Sequence, residues 1–290
     1  MDDELNVTYI ALNGYVELNE YRFLYFVIMF TAYILIFCCN STIVFLIVIH
    51  KNLHEPMYVF IAALLTNSVL FSTAIYPKLF MDVLSDKQVI SYSACLFQWF
   101  IYYSLGGSEF LLLSAMSYDR YVSICKPLQY PTIMRNTNVS IMLVLAWILP
   151  ICQVTVPIAI NVNVKLCHFT LKGILCNSIV FKLYCVSSGE LHIYGLVVFV
   201  NLLLLPRIRR KAAHTCLPHL LVLINFSCLS AYDVLLARLE TDFPKAVNLL
   251  MALQVILYHP LFNPVIYGLK MKEIHKYLKR LFCCNKADSV

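Results

Sequence analysis

The stretch Met116-Ser-Tyr-Asp-Arg-Tyr-Val-Ser-Ile-Cys-Lys-Pro-Leu-Gln-Tyr130 follows an apolar run from Phe100 to Ala115. It sets Asp119 and Arg120 side by side where that run would leave a bilayer. Ionisable residues are costly in hydrocarbon, so a charged pair at such a point marks a functional position. The run before it reads as a spanning helix, and the flanking sequence extends that reading.

The chain has 290 residues, of which 61% are hydrophobic and 13% charged. Soluble domains are about 25% charged, so the composition points to a bilayer. With 7 glycines and 11 prolines, nothing suggests disorder. The net charge of +6 comes from basic clusters at the ends of apolar runs. It does not form the basic face of a soluble domain that nucleic-acid binding requires. No internal repeat or low-complexity segment is present.

A spanning helix needs about 20 mostly apolar residues. The candidates are Phe23–Ile49, Met57–Met81, Tyr92–Tyr121, Val139–Ile160, Leu191–Pro206, Ala212–Leu236 and Ala246–Leu269. The expected fold is therefore all-α, a seven-transmembrane helix bundle. Its parts are an extracellular N-terminus (1–22), the spanning domain (23–269) and a cytoplasmic tail (270–290) that begins with a short amphipathic helix. Most of the 22 lysines and arginines fall on alternate links, from Lys51 through Arg207–Lys211 to Lys286. The bias of basic residues sets orientation, which puts the N-terminus outside and the C-terminus inside.

The first twenty residues are acidic (Asp2, Asp3, Glu4, Glu17, Glu20). A cleavable signal starts basic and then turns apolar, so the first span is expected to act as the targeting signal. Asn6-Val-Thr8 would lie outside, where a glycosylation acceptor must be. The other tripeptides, at Asn40, Asn138 and Asn225, fall in helices or on the inner side.

From Met116 to Cys125 the sequence resembles the odorant receptors, a branch of the rhodopsin-like G-protein-coupled receptors, with Ser117 and Ser123 where that motif usually has Ala. Leu53-His-Glu-Pro-Met-Tyr58 resembles the family's entry to helix two. Lys211-Ala-Ala-His-Thr-Cys-Leu-Pro-His219 is similar to its start of helix six, and Asn263-Pro-Val-Ile-Tyr267 to its helix-seven motif. The wording Pro56-Met-Tyr-Val-Phe-Ile-Ala-Ala63 and Ser91-Tyr-Ser-Ala-Cys-Leu-Phe-Gln98 most resembles the fish-type members.

The resemblance implies a plasma-membrane receptor that binds a small odorant and activates a heterotrimeric G protein of the stimulatory olfactory type. It implies neither an enzyme nor a cofactor. Asp119, Arg120 and Tyr121, with Asn263, Pro264 and Tyr267, would form the cytoplasmic switch. In that reading Asp119 holds Arg120 at rest, and activation frees it. The ligand would sit in the outer half, near Tyr102, Tyr103, Gly106 and Gly107 on helix three and Tyr232 and Asp233 on helix six. The two glycines would leave space for it.

Glu109 lies three helical turns deeper than Arg120. A buried acid there should face the bundle interior and find a proton, a polar partner or a cation. In the family, helix two usually supplies an Asp near this level, but this chain has Ser68 there, with Asn67 beside it. Glu109 is then either protonated and hydrogen-bonded or bound to an ion such as sodium.

Twelve cysteines are divided by compartment. On the outer side Cys95, Cys167, Cys176 and Cys185 permit three connectivities. The resemblance implies Cys95–Cys176 and Cys167–Cys185. Cys283 and Cys284 follow the amphipathic tail segment and are candidates for palmitoylation at the lipid surface. No Cys/His spacing reads as a metal site.

At one place the resemblance breaks. In the family helix five continues inward past Pro206, but here Arg207-Ile-Arg-Arg-Lys211 follows at once. About one spanning length is missing. Either the chain is a receptor-like protein whose signalling is impaired by a shortened inner face, or the sequence lacks a segment of its gene. A transporter would show intramembrane charges in series and a membrane enzyme clustered polar residues at one level. Neither pattern is present.

Overall fold

The computed structural model describes residues 8–162, 164–185, 228, 232 and 244–283. The fifth expected span, the sixth apart from Cys228 and Tyr232, the segment after Pro206, Asn6, Asp233, Cys284 and the side chain of Cys283 lie outside them. The first four spans are α1 (Leu18–Ile49), α2 (Pro56–Leu84), α3 (Tyr92–Cys125) and α4 (Asn136–Asn161). The seventh runs from Lys245 to Lys270. It consists of α5 (Lys245–Leu253), a π-helical turn (Gln254–Tyr258) and α6 (His259–Lys270). The tail forms α7 (Lys272–Cys283).

The helix starts follow local chemistry. Pro56 opens α2, where its missing N–H costs nothing. Ser91 caps α3 by accepting a hydrogen bond from the Ala94 backbone N–H at 3.3 Å. α1 begins at Leu18, more than a turn earlier than the apolar run suggests.

α1 shows how the bundle is turned toward lipid. Its buried face is Met29, Ala32, Ile36, Asn40, Ile43, Leu46 and Ile47, at helical spacing. Its outer face carries Phe23, Phe30, Phe37 and Phe45, with Phe23 79% exposed. Large aromatic side chains facing outward along a whole helix suit hydrocarbon, while the interior holds the polar Asn40. Lipid tails are as apolar as leucine, so such helices associate through close packing and internal hydrogen bonds.

Two apolar clusters divide the bundle by level. The inner one joins α1, α2, α3 and α4 with Tyr267 and Ile274. The outer one joins Tyr15, Met29, Phe71, Tyr76 and Leu79 to Leu249 and Ile256 of the seventh span.

The outer face carries a small sheet. β1 (Tyr9–Leu12) lies between β2 (Val89–Ser91) and β3 (Thr170–Leu171). It pairs antiparallel with β2, Ile10 opposite Ile90, and parallel with β3, Leu12 opposite Leu171. The N-terminal segment is thus laced to both outer loops. Cys95–Cys176 and Cys167–Cys185 are disulfide-bonded, with Cα–Cα distances of 5.4 and 4.8 Å. Gly14 passes so close to Gly173 that a Cβ on it would lie 2.3 Å from the Gly173 carbonyl carbon.

Gly14→Ala must therefore separate the N-terminal segment from the outer loop. The expected result is lower surface expression and faster amide hydrogen exchange at Tyr9–Leu12, with the inner half of the bundle unchanged. Cys176→Ser releases a link spanning 81 residues. It should lower the thermal stability of the purified protein by about 2–5 kcal/mol.

Candidate functional site: a polar line through the bundle

Glu109 on α3 is buried, and the helices around it supply its partners. Asn263 on α6 donates from Nδ2 to Glu109 Oε1 at 3.0 Å, and the same amide reaches Ser68 Oγ on α2 at 3.3 Å. The imidazole of His259, one turn earlier on α6 and 2% exposed, places Nδ1 at 3.4 Å from Glu109 Oε1. The π-helical turn Gln254–Tyr258 immediately precedes His259. Such turns shift the register of all following side chains and recur at functional sites.

Pro264 explains a second contact. Its missing N–H would have bonded the carbonyl of Pro260, four residues earlier. Asn40 on α1 donates to that carbonyl instead, at 3.0 Å, and also to Ile36 O at 2.7 Å. A buried carbonyl left without a donor is costly, so Asn40 ties the first span to the proline-containing turn of the seventh. Read as sequence, Asn40 is merely part of an unused glycosylation tripeptide.

Asn67 takes a different role from its neighbour Ser68. Its Nδ2 donates to Leu105 O at 3.0 Å, and its Oδ1 accepts from Trp147 Nε1 at 3.3 Å. It joins α2, α3 and α4 and is absent from the contacts of Glu109.

At the inner end the structure pairs the charged residues differently from the expectation. Asp119 is 1% exposed, and its Oδ1 accepts a hydrogen bond from the Tyr130 hydroxyl at 2.8 Å. Burial, and then the hydrogen bond to Asp119, push the Tyr130 hydroxyl above the ordinary tyrosine range, which keeps it a donor. Arg120 has no side-chain hydrogen bond or ion pair among the described residues. Consecutive helical residues do not face each other, so the two side chains form no close ion pair here, although the guanidinium charge still acts on the Asp119 carboxyl. Tyr121 lies beside Tyr118, ring centroids 6.4 Å apart, and Tyr267 is buried in the inner cluster.

The outer residues fare unevenly as ligand contacts. Tyr102 packs on Phe71 and Tyr103, with centroids at 5.8 and 5.0 Å. The Tyr103 hydroxyl accepts from the Ser178 backbone N–H at 2.9 Å, which binds it to the outer loop. Gln98 does the same for the Cys176 N–H, also at 2.9 Å. Gly106 is half-buried on α3. Gly107 does not leave open space, because a Cβ there would lie 2.8 Å from Pro150 Cβ on α4. It is a packing glycine. The Tyr232 hydroxyl donates to Asn248 Oδ1 on α5 at 3.0 Å. Among the described residues, a cavity of about 310 Å³ lies between the outer ends of α2 and α3, lined by Ile75, Lys78, Ile90, Phe97 and Gln98 among others. Among the described residues no group of three or more metal-ligating side chains occurs.

Removing a buried partner costs about 1–3 kcal/mol. Asn40→Ala should lower thermal stability by that order, because the Pro260 carbonyl loses its donor. Trp147→Phe, which leaves Asn67 Oδ1 without its indole donor, should cost less, since Asn67 keeps its bond to Leu105. Melting curves of the two purified variants check the order.

Comparison with known proteins agrees with this geometry. The olfactory receptor family model matches residues 29–208 and 194–285. Human olfactory receptor 10AG1 is 33% identical over 302 residues, covering 93% of this chain and 97% of the relative. Human olfactory receptor 10K1 is 31% identical over 310 residues, 92% of each chain. Human olfactory receptor 11A1 is 29% identical over 314 residues, covering 98% of this chain and 96% of its own. That alignment is longer than the 290-residue chain, so the relative carries residues absent here. The two family matches meet across 194–208, around Pro206. Nothing in these matches supports a receptor-like chain with impaired signalling. The chain belongs to the olfactory receptor family, and it is a seven-span receptor of the plasma membrane, of the kind that binds odorants and couples to G proteins.

Proposed function

We propose that this chain is a fish-type odorant receptor that couples a small odorant to a G protein of the stimulatory olfactory type, with Arg120 as the residue presented to that partner. The observation that carries the reading is the state of the inner charged pair. Asp119 is engaged by Tyr130 at 2.8 Å, and Arg120 makes no side-chain hydrogen bond or ion pair among the described residues. A guanidinium stays protonated and offers five donors. With none of these donors engaged among the described residues, it is available to the carbonyl groups of an inserted helix end.

The odorant would bind in the outer half, beneath the N-terminal strand and the disulfide-bonded loop. Tyr102 and Gly106 remain the α3 candidates, and Tyr232 and Asp233 those of the sixth span. Tyr103 and Gly107 act through the loop and α4. The ligand shifts the balance between two arrangements by its differential affinity for them. Pro264, Asn263 and Tyr267 follow the π-helical turn of the seventh span, so they would transmit the shift. The expected division is an outer segment 1–22, a spanning domain 23–269 and a tail 270–290. Glycosylation at Asn6 and palmitoylation at Cys283 and Cys284 would fix the two ends to their compartments.

Arg120→Ala should abolish odorant-evoked cyclic AMP in cells while surface expression and odorant binding persist. An undiminished response would contradict the role of Arg120. Tyr130→Phe removes the hydroxyl that occupies Asp119 and lets the carboxylate turn toward Arg120. The expected outcome is a severalfold weaker response at equal surface expression. A response equal to that of the parent chain would show that Tyr130 does not keep Arg120 free.

A further inference from the structure

The described residues contain three buried acids, and each meets a partner of its own level. Asp82, at the outer end of α2, is ion-paired with Lys78. Asp119, at the inner end of α3, accepts from Tyr130. Glu109, at the centre, meets the imidazole of His259 at 3.4 Å and the amide of Asn263 at 3.0 Å, both at Oε1. Of these partners, the imidazole is the one able to exchange a proton with Glu109.

We propose that Glu109 and His259 form a single proton-holding site, and that this pair takes the place of a bound metal cation at the centre of the bundle. A carboxyl and an imidazole holding one proton between them are neutral as a unit, whichever carries it. In a low-dielectric interior the neutral unit is favoured over the same pair with no proton or with two. The surrounding elements add no competing charge among the described residues. α1 contributes Asn40, α2 Ser68, and the seventh span Asn263 and the phenols of Tyr258 and Tyr267. Asn263 holds the carboxyl in place, and the residue that follows the π-helical turn, His259, brings Nδ1 to 3.4 Å from it. A sodium ion needs an anionic cage. Here the negative charge already has its counterpart within the chain.

The test uses the full chain purified into lipid nanodiscs, with sodium chloride or choline chloride at equal ionic strength. The parent chain should melt at the same temperature in both salts. His259→Asn leaves Glu109 without its proton partner, and sodium should then raise its melting temperature by about 2–4 °C over choline. Glu109→Gln in the same chain (E109Q/H259N) should remove that sodium effect and restore stability, the non-additive result of a coupled pair. A sodium-dependent rise in the parent chain would overturn the proposal. So would an H259N variant that folds but is indifferent to sodium. If H259N does not fold, rescue by E109Q/H259N supports the proposal and failure of that rescue overturns it.

Discussion

A carboxyl group three helical turns inside a bilayer has no water to neutralise it, and the chain that carries it must do so. Glu109 sets this constraint on the receptor. It accounts for the convergence of Asn263 and His259 from the seventh span, with Ser68 from the second joined through Asn263. The same logic runs outward from it. Pro264 frees the Pro260 carbonyl, and Asn40 on the first span supplies the missing donor. Asn67 and Trp147 bring in the fourth span. Because apolar faces gain little by leaving lipid for one another, these few polar contacts fix which helices meet and at what level.

The line of polar contacts also relates the two ends of the receptor. Above Glu109, Tyr102 packs on Phe71 and Tyr103, and the outer face is covered by a sheet made from the N-terminus and both outer loops. Below it, Tyr267 is buried among inner apolar residues and Asp119 is held by Tyr130. The seventh span passes all three levels, and its π-helical turn and Pro264 are the places where it can change shape. A rearrangement at the outer level can therefore pass along this span to the inner cluster that holds Tyr267.

Much of this was legible in the sequence. Long apolar runs, the basic bias of alternate links and the Asp119–Arg120 stretch carried the fold, and Glu109 stood out as an acid within an apolar run. Its partner did not, because His259 lies far along the chain beside a proline and follows a π-helical turn that residue spacing cannot reveal. Adjacent Asp119 and Arg120 suggested a pair, yet neighbours on a helix point apart, and Tyr130 takes the carboxylate. Gly107 suggested space for a ligand, but the same missing side chain equally serves close packing, here against Pro150. The strands Tyr9–Leu12, Val89–Ser91 and Thr170–Leu171 are too short to show an alternating pattern. The comparisons also sharpened the discontinuity near Pro206, since the family matches meet there and relatives align over more residues than this chain has.

The most direct measurement of how the buried acid is neutralised is a proton count at the site itself. Nuclear magnetic resonance of the full-length receptor in nanodiscs, with labelled histidine and glutamate, would report the state of both groups at neutral pH, with His259→Asn and Glu109→Gln assigning the signals. One proton shared by the pair is the expected result, either an imidazolium beside a carboxylate or a neutral ring beside a carboxylic acid. A carboxylate at Glu109 beside a neutral His259 would contradict it, because the buried charge would then need a cation from outside the chain.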